Sequence, residues 1–135
     1  MKKLSIRPYD LYRYLADLVK SRVCDVVFVE ERPSVVADKM NAFVVVGMPR
    51  SLEDFGLWQN SLVRFELYAR NRSNGQPSLD VLQSMLDKCV AMFPVNEGAF
   101  LLWKPRLVLS GTDNAGFTIW NVQCNARVNT TNRIE

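Results

Sequence analysis

The clearest hydrophobic pattern in the chain predicts a strand, a turn and a helix between residues 61 and 93. Apolar and polar side chains alternate over residues 61–70, and a period of two is typical of a half-buried β-strand. The inward set is Val63, Phe65, Leu67 and Ala69, and the outward set is Arg64, Glu66, Tyr68 and Arg70. Asn74-Gly75 then predicts a turn. Apolar residues at three- and four-residue steps follow, and they predict an amphipathic helix after Ser78 and before Pro94: Leu79, Leu82, Leu86, Cys89, Val90 and Phe93.

The region before this unit predicts one helix and two strands. The helix covers Pro8–Arg22, with an inward stripe of Leu11, Leu15, Leu18 and Val19. The strands cover residues 26–30 and 43–48, and each is apolar on both faces. For the first strand this indicates an interior position in the sheet or coverage from both sides. The long connection at residues 31–41 is typical of a functional or mobile segment.

Residues 50–60 fit neither period, and two interpretations of them stay open. They form either a loop packed on the core through Trp58 or an exposed aromatic loop that docks a partner. Residues 95–103 are predicted to be irregular, and Leu107 and Leu109 then open a strand. A turn-rich stretch joins this strand to a long one at residues 117–128, so the pair predicts an antiparallel hairpin. The long strand has one apolar face: Trp120, Val122, Cys124, Ala126 and Val128.

The order α-β-β-β-α-β-β predicts an α+β fold, with a mostly antiparallel β-sheet and two amphipathic helices packed on one face. We expect a single domain over residues 1–135, with a polar tail from about residue 129. Apolar residues make up 48% of the chain and charged residues 23%, which is globular composition. The net charge of +3 permits a polyanionic partner without arguing for one. The longest apolar run, residues 42–48, is too short to span a bilayer, so a soluble intracellular protein is expected.

Histidine and the sequence motifs that support most enzyme chemistry are missing from the sequence. There is no histidine, and the three cysteines form no CxxC pair, so each is expected to be a small buried residue in a reducing compartment. No glycine-rich phosphate loop occurs. The carboxylate pairs Glu30-Glu31 and Glu53-Asp54 are typical of solubilising surface. We therefore predict no catalytic residue, no cofactor, no metal site and no enzymatic activity.

The outward face of the central strand is the most informative constellation, and it has three interpretations. The favoured one is a subunit interface, because Arg and Tyr are common anchors there. The second is a solvated sheet face with cross-strand charge pairs. The third is a small nucleic-acid-binding module that uses Arg64, Tyr68, Arg70 and Arg72. The candidate interface residues are Arg64, Glu66, Tyr68, Arg70, Arg72 and Trp58.

The succession of these elements resembles a family of phage proteins. A helix ending at Arg22 is followed by a strand ending in Val29-Glu30-Glu31-Arg32-Pro33. The strand Val63-Arg64-Phe65-Glu66-Leu67-Tyr68-Ala69-Arg70, a helix of the type Leu79-Asp80-Val81-Leu82 and a closing strand Trp120–Arg127 complete the order. This layout is similar to the tail-completion or tail-terminator (neck) proteins of long-tailed bacteriophages and prophages. The similarity lies in the order of the elements and in their patterns of apolar and polar residues. Residues 31–41 and the Trp58 segment are its possible departures.

The resemblance implies a non-enzymatic virion subunit. Such proteins form a ring, typically of six copies, that caps the tail tube and joins it to the head. The implied partners are other copies of the chain and other tail or head-neck proteins, with no membrane. DNA is implied only as it passes through the ring lumen. The implied location is the virion, after assembly in the cytoplasm of the host bacterium.

Overall fold

The structure is a computed structural model, which describes residues 8–31, 40–47, 53–54, 58–97, 100–113 and 115–129. Most of the connection predicted at residues 31–41 lies outside the described residues. So does the polar tail beyond residue 129. Of the segment at residues 50–60, only residues 53–54 and 58–60 are described.

The predicted α+β fold with a mostly antiparallel sheet is confirmed. The elements in chain order are α1 (Pro8–Arg22), β1 (Val27–Val29), β2 (Ala42–Gly47), β3 (Glu53–Asp54), β4 (Trp58–Arg70), α2 (Leu79–Ala91), β5 (Val95–Glu97), β6 (Phe100–Thr112) and β7 (Phe117–Asn129). The sheet order is β1-β2-β4-β7-β6-β5, and β3 pairs with β4 off this path. The β1–β2 pair is parallel and the other pairs are antiparallel.

Both helices lie on one face of the sheet, as predicted. α1 packs on β1 and β2, and α2 packs on β4 and β7. The inward stripe of α1 is fully confirmed, since all four of its predicted residues are buried. From the sheet, alternate residues of β2, β4 and β7 meet the helices: Val44, Val46, Val63, Phe65, Leu67, Ala69, Val122, Cys124 and Ala126. This single core accounts for the period-two pattern along β4 and β7.

The opposite face of the sheet, called the outer face below, carries a second and smaller apolar cluster. It consists of Phe43, Val45, Tyr68 and Phe117, with Phe28 and Ile119 packed against it. This cluster explains why β1 and β2 are apolar on both faces. β1 is nevertheless an edge strand, so its predicted interior position is wrong. The alternative of coverage from both sides holds for Val27 and Phe28 but not for Val29, which is exposed.

The predicted order α-β-β-β-α-β-β lacks two short strands, β3 and β5, and three predicted boundaries or faces also differ from the structure. Residues 95–97 and 100–103 are strand, where irregular chain was predicted, because β5 and β6 pair as a hairpin. β4 begins at Trp58 because its register with β7 runs from Trp58 opposite Asn129 to Arg70 opposite Phe117. In α2 the buried residues are Leu82, Met85 and Cys89, whereas Leu79 is 56% exposed and Val90 is also exposed. The predicted stripe is therefore confirmed at Leu82 and Cys89, with Leu86 and Phe93 packed against the core, and it is wrong at Leu79 and Val90.

Candidate interaction surface

The predicted outward set on β4 lies on the outer face, but its middle is partly buried. Arg64 and Glu66 retain 30% and 19% of their side-chain exposure, and the Arg64 Nε lies 3.4 Å from the Glu66 Oε2. Their cross-strand neighbours on β7 are Gln123 and Asn121. Burial raises the pKa of the Glu66 carboxyl, and the Arg64 guanidinium opposes this shift. The pair forms a polar and partly buried centre on this face of the sheet.

Tyr68 differs most from its prediction. Its side chain is only 6% exposed, so the expectation that it projects into solvent beside the arginines is wrong. The register places Phe43 opposite Tyr68, and their rings stack with centroids 4.4 Å apart. Phe117 packs against the same tyrosine at 6.3 Å. Tyr68 therefore belongs to the fold and presents no free ring for a base or a partner.

The remaining predicted residues lie along the strand and beyond it. The Arg70 guanidinium lies 4.7 Å from the centre of the Phe117 ring, and its Nη2 donates to the Met40 carbonyl at 3.0 Å. The Arg72 Nη2 lies 3.4 Å from the Asp80 Oδ1 near the start of α2. Trp58 opens β4 at the opposite end of the strand. The five predicted residues whose side chains the structure describes are thus not gathered into one exposed patch, and the role of all six in an interface stays a prediction.

The most exposed apolar surface lies on β6, where the sequence pattern did not locate it. Every residue from Lys104 to Thr112 is exposed, including Leu107 at 48%, Val108 at 43% and Leu109 at 64%. One side of this stretch pairs with β7. On the other side, β5 pairs only with residues 100–102, and within the described part of the chain no strand pairs with residues 106–112. These seven residues are called the β6 edge below.

Register assigns the side chains of the β6 edge to the two faces of the sheet. Leu107 and Leu109 lie opposite Val122 and Trp120, so they point to the helix side, and Val108 lies opposite Asn121 on the outer face. Successive residues of a strand point to opposite faces, so three large apolar residues in a row place at least one on each face. In the sequence this run predicts only the start of a strand. It is the signal that could have located the exposed edge.

The opposite edge of the sheet holds an open cleft of about 550 Å³ on the helix side. It is formed by Tyr12 and Ala16 of α1 and by Val29 at the end of β1, and Val29 is exposed. The charged residues that line it are Arg13, Asp17, Lys20 and Glu30. The neighbouring Tyr14 points elsewhere, stacking on Phe100 and donating from its hydroxyl to Glu97. Residues 27–30, which border this cleft, are called the β1 edge below.

A second cleft, of about 580 Å³, separates the end of α1 from α2 and includes Cys24. Burial raises the pKa of the Cys24 thiol, and burial also raises the pKa values of Cys89 and Cys124 to about 12. Cys89 and Cys124 are buried as predicted, whereas Cys24 is half-buried. Among the described residues, no cluster of three potential metal ligands occurs. Neither α1 nor α2 combines the length and the apolar character needed to cross a membrane, within the same described residues.

No family model matches the sequence, and no curated protein matches it. The resemblance to tail-terminator proteins therefore stays a prediction, and the two edges of the sheet remain the principal structural findings that bear on function.

Proposed function

We propose that this chain is a non-enzymatic structural subunit of a phage or prophage tail or neck, which self-associates into a ring that caps the tail tube and joins it to the head. The observation that carries the proposal is the β6 edge, where three large apolar side chains are exposed beside backbone groups that no described strand pairs. Soluble monomers usually blunt such edges with short strands or charges, because an open edge recruits another chain.

The energetics favour assembly through many contacts over a simple pairwise complex. Complete burial of a Leu or Val side chain contributes about 1.5–3 kcal/mol. Since Leu107, Val108 and Leu109 are already about half buried, covering them contributes about 1 kcal/mol each. Association itself costs at least about 4 kcal/mol in lost translational and rotational freedom. One edge alone is marginal, whereas a closed ring gives each subunit two interfaces.

The setting in a phage tail rests on the resemblance in element order. A ring of about six copies, a tail-tube partner and a head-neck partner all belong to that part of the proposal. The nucleic-acid alternative depends on an Arg/Tyr face, and its one aromatic residue, Tyr68, is packed inside the second cluster. No structural observation favours that alternative over assembly.

The test is the oligomeric state of the full chain, measured by sedimentation velocity and negative-stain imaging over a range of protein concentrations. The measurements are repeated with the tail-tube protein from the same genome. We expect rings or concentration-dependent oligomers for the natural sequence. Leu109→Lys should weaken self-association at least about tenfold, since it places a charge where an apolar contact forms.

Val81→Lys is the matched control, because Val81 is an exposed apolar residue on α2, which packs on the central strands β4 and β7. It adds the same charge and should leave assembly unchanged. A natural protein that stays monomeric at every concentration, also with tail-tube protein, would contradict the proposal. Equal losses in Leu109→Lys and Val81→Lys would remove the β6 edge from it.

A further inference from the structure

We infer that the assembly is head-to-tail: the β6 edge of one copy pairs with the β1 edge of the next copy, and Leu107 and Leu109 enter that copy's Tyr12–Ala16–Val29 cleft. The inference rests on the proposed function for the existence of an assembly. It names the two surfaces that meet and their register.

Strand directions make this pairing antiparallel. β1 and β2 are parallel, and each further step from β2 to β4, β7 and β6 reverses direction, so β6 runs opposite to β1. A second copy placed beside the first, with its helices on the same side, therefore brings an antiparallel β1 to the β6 edge. Antiparallel pairing continues the sheet across the contact without turning either subunit over.

The alternation of side chains selects a register for this pair. Val27 and Val29 lie beside Val44 and Val46 and face the helix side, whereas Phe28 faces the outer side. Pairing Leu109 with Val27, Val108 with Phe28 and Leu107 with Val29 matches every face. A shift by one residue would set each apolar side chain against the wrong face.

Charge agrees with the same register. Arg106 directly precedes Leu107 and Glu30 directly follows Val29, so this register brings the two side chains near each other, and both are exposed. The backbone leaves the extended conformation at Glu30, where φ is 71°, so the pair lies just beyond the paired strand residues. The Arg106 guanidinium also donates to the Lys104 carbonyl at 3.3 Å and to the Asn125 Oδ1 at 3.4 Å within its own chain, so Glu30 would compete with these two bonds. The helix rim of the cleft is mixed, with Arg13 and Lys20 beside Asp17, so the strand ends supply the charge selectivity.

The competing occupant of the β6 edge is a second β6 edge in a two-fold arrangement. That pairing would match apolar with apolar residues, but it places Arg106 opposite Ser110 and leaves the β1 edge and its cleft unused. It also closes as a dimer, because a two-fold contact uses the same patch on both subunits. Both arrangements pair the strands antiparallel, so the Arg106–Glu30 pair and the use of the β1 edge and its cleft are what favour the head-to-tail arrangement. The two arrangements predict different results in a mixing experiment.

The experiment uses two edge-blocked forms of the full chain. Leu107→Lys with Leu109→Lys blocks the β6 edge, and Val29→Lys blocks the β1 edge. Each form alone should sediment as a monomer. At a concentration well above that at which the natural protein assembles, an equimolar mixture should form a 1:1 heterodimer that does not grow further. One intact edge of each kind remains, and a single contact is weaker than the two contacts that each subunit makes in a ring. Circular dichroism and thermal unfolding check that each form is folded.

A charge exchange provides a second test that leaves the apolar contacts in place. Arg106→Glu and Glu30→Arg should each weaken assembly about tenfold, since an exposed pair becomes a repulsion. The double variant should recover to within about threefold of the natural protein, because the pair is restored with its signs exchanged.

The outcomes separate this inference from the function on which it rests. If the natural protein assembles but Val29→Lys still assembles alone, the head-to-tail inference is overturned and the proposed function stands. The head-to-tail inference is also overturned, and the proposed function stands, if the mixture forms no heterodimer. The same holds if the double variant does not recover. If the natural protein is monomeric under all conditions, both fail.

Discussion

Glu66 shows how a single side chain responds to the two-sided sheet. It lies on the outer face between Val45 of β2 and Asn121 of β7, where burial raises the pKa of its carboxyl. In the window between the ordinary and the raised pKa, the folded state binds more protons than the unfolded state. The stabilisation from Glu66 is therefore fully present below its ordinary pKa and is lost as pH rises through the raised value.

Glu66→Gln removes this titration, which gives a prediction at the residue scale. The free energy of unfolding of the natural protein, minus that of Glu66→Gln, should fall as pH rises above about 4, the ordinary pKa of a glutamate. Urea unfolding at several pH values measures it. Arg64→Gln should move the fall to higher pH, because Arg64 lowers the pKa of Glu66. A difference that is independent of pH would contradict the prediction.

The sequence predicts the face of the sheet on which Arg64 and Glu66 lie, but it does not predict that Tyr68 is buried. Alternation is a local property, so it assigns each residue of β4 to a face. Whether that face is exposed to solvent depends on the side chains of the strand that pairs beside it. The stacking of Phe43 on Tyr68 follows from the register of β2 with β4, which no local pattern states.

At the scale of elements, α2 has a buried stripe and, beside it, exposed apolar residues. The sequence pattern assigns both sets to one apolar face. Leu82 is fully buried, whereas Leu79, only three residues earlier, is 56% exposed. Leu82→Ala should therefore lower the free energy of unfolding by about 2–5 kcal/mol, through lost burial and a cavity.

Leu79→Ala is the matched control on the same helix and should change the free energy of unfolding by no more than about 0.5 kcal/mol. Both values come from urea unfolding of the dilute protein, where assembly does not contribute. Similar costs for the two substitutions would mean that Leu79 packs as the sequence pattern predicts and that the structural assignment of the stripe is wrong.

The boundaries of β4 and β5 could not be predicted from local sequence patterns, because the strands that pair with them set their extent. β5 is three residues long and forms only because β6 lies beside it, so residues 95–97 carry no period of their own. β4 extends back to Trp58 for the same reason, since β7 supplies partners along its whole length. The exposed run Leu107–Val108–Leu109 was visible as a strand, but its position at an edge depends on strand order, which sequence periodicity does not determine.

At the scale of the molecule, assembly through the sheet edges and DNA binding through the outer face predict different responses to salt. The proposed contact is mainly apolar and includes an exposed Arg106–Glu30 pair, and such pairs contribute about 0.2–1 kcal/mol. Raising salt from about 0.05 M to about 0.5 M should therefore weaken self-association less than about fivefold.

A DNA contact through Arg64, Arg70 and Arg72 would behave otherwise. Three phosphate contacts give a loss of about 500-fold in affinity over the same tenfold rise in salt. Arg64 is already beside Glu66, Arg70 is bonded to the Met40 carbonyl and Arg72 lies near Asp80, so phosphate would have to compete with partners inside the protein. We therefore expect no band shift of duplex or single-stranded DNA at low salt. Binding with that steep salt slope, reduced by Arg70→Gln and unchanged by Leu109→Lys, would establish the nucleic-acid function in place of the one proposed.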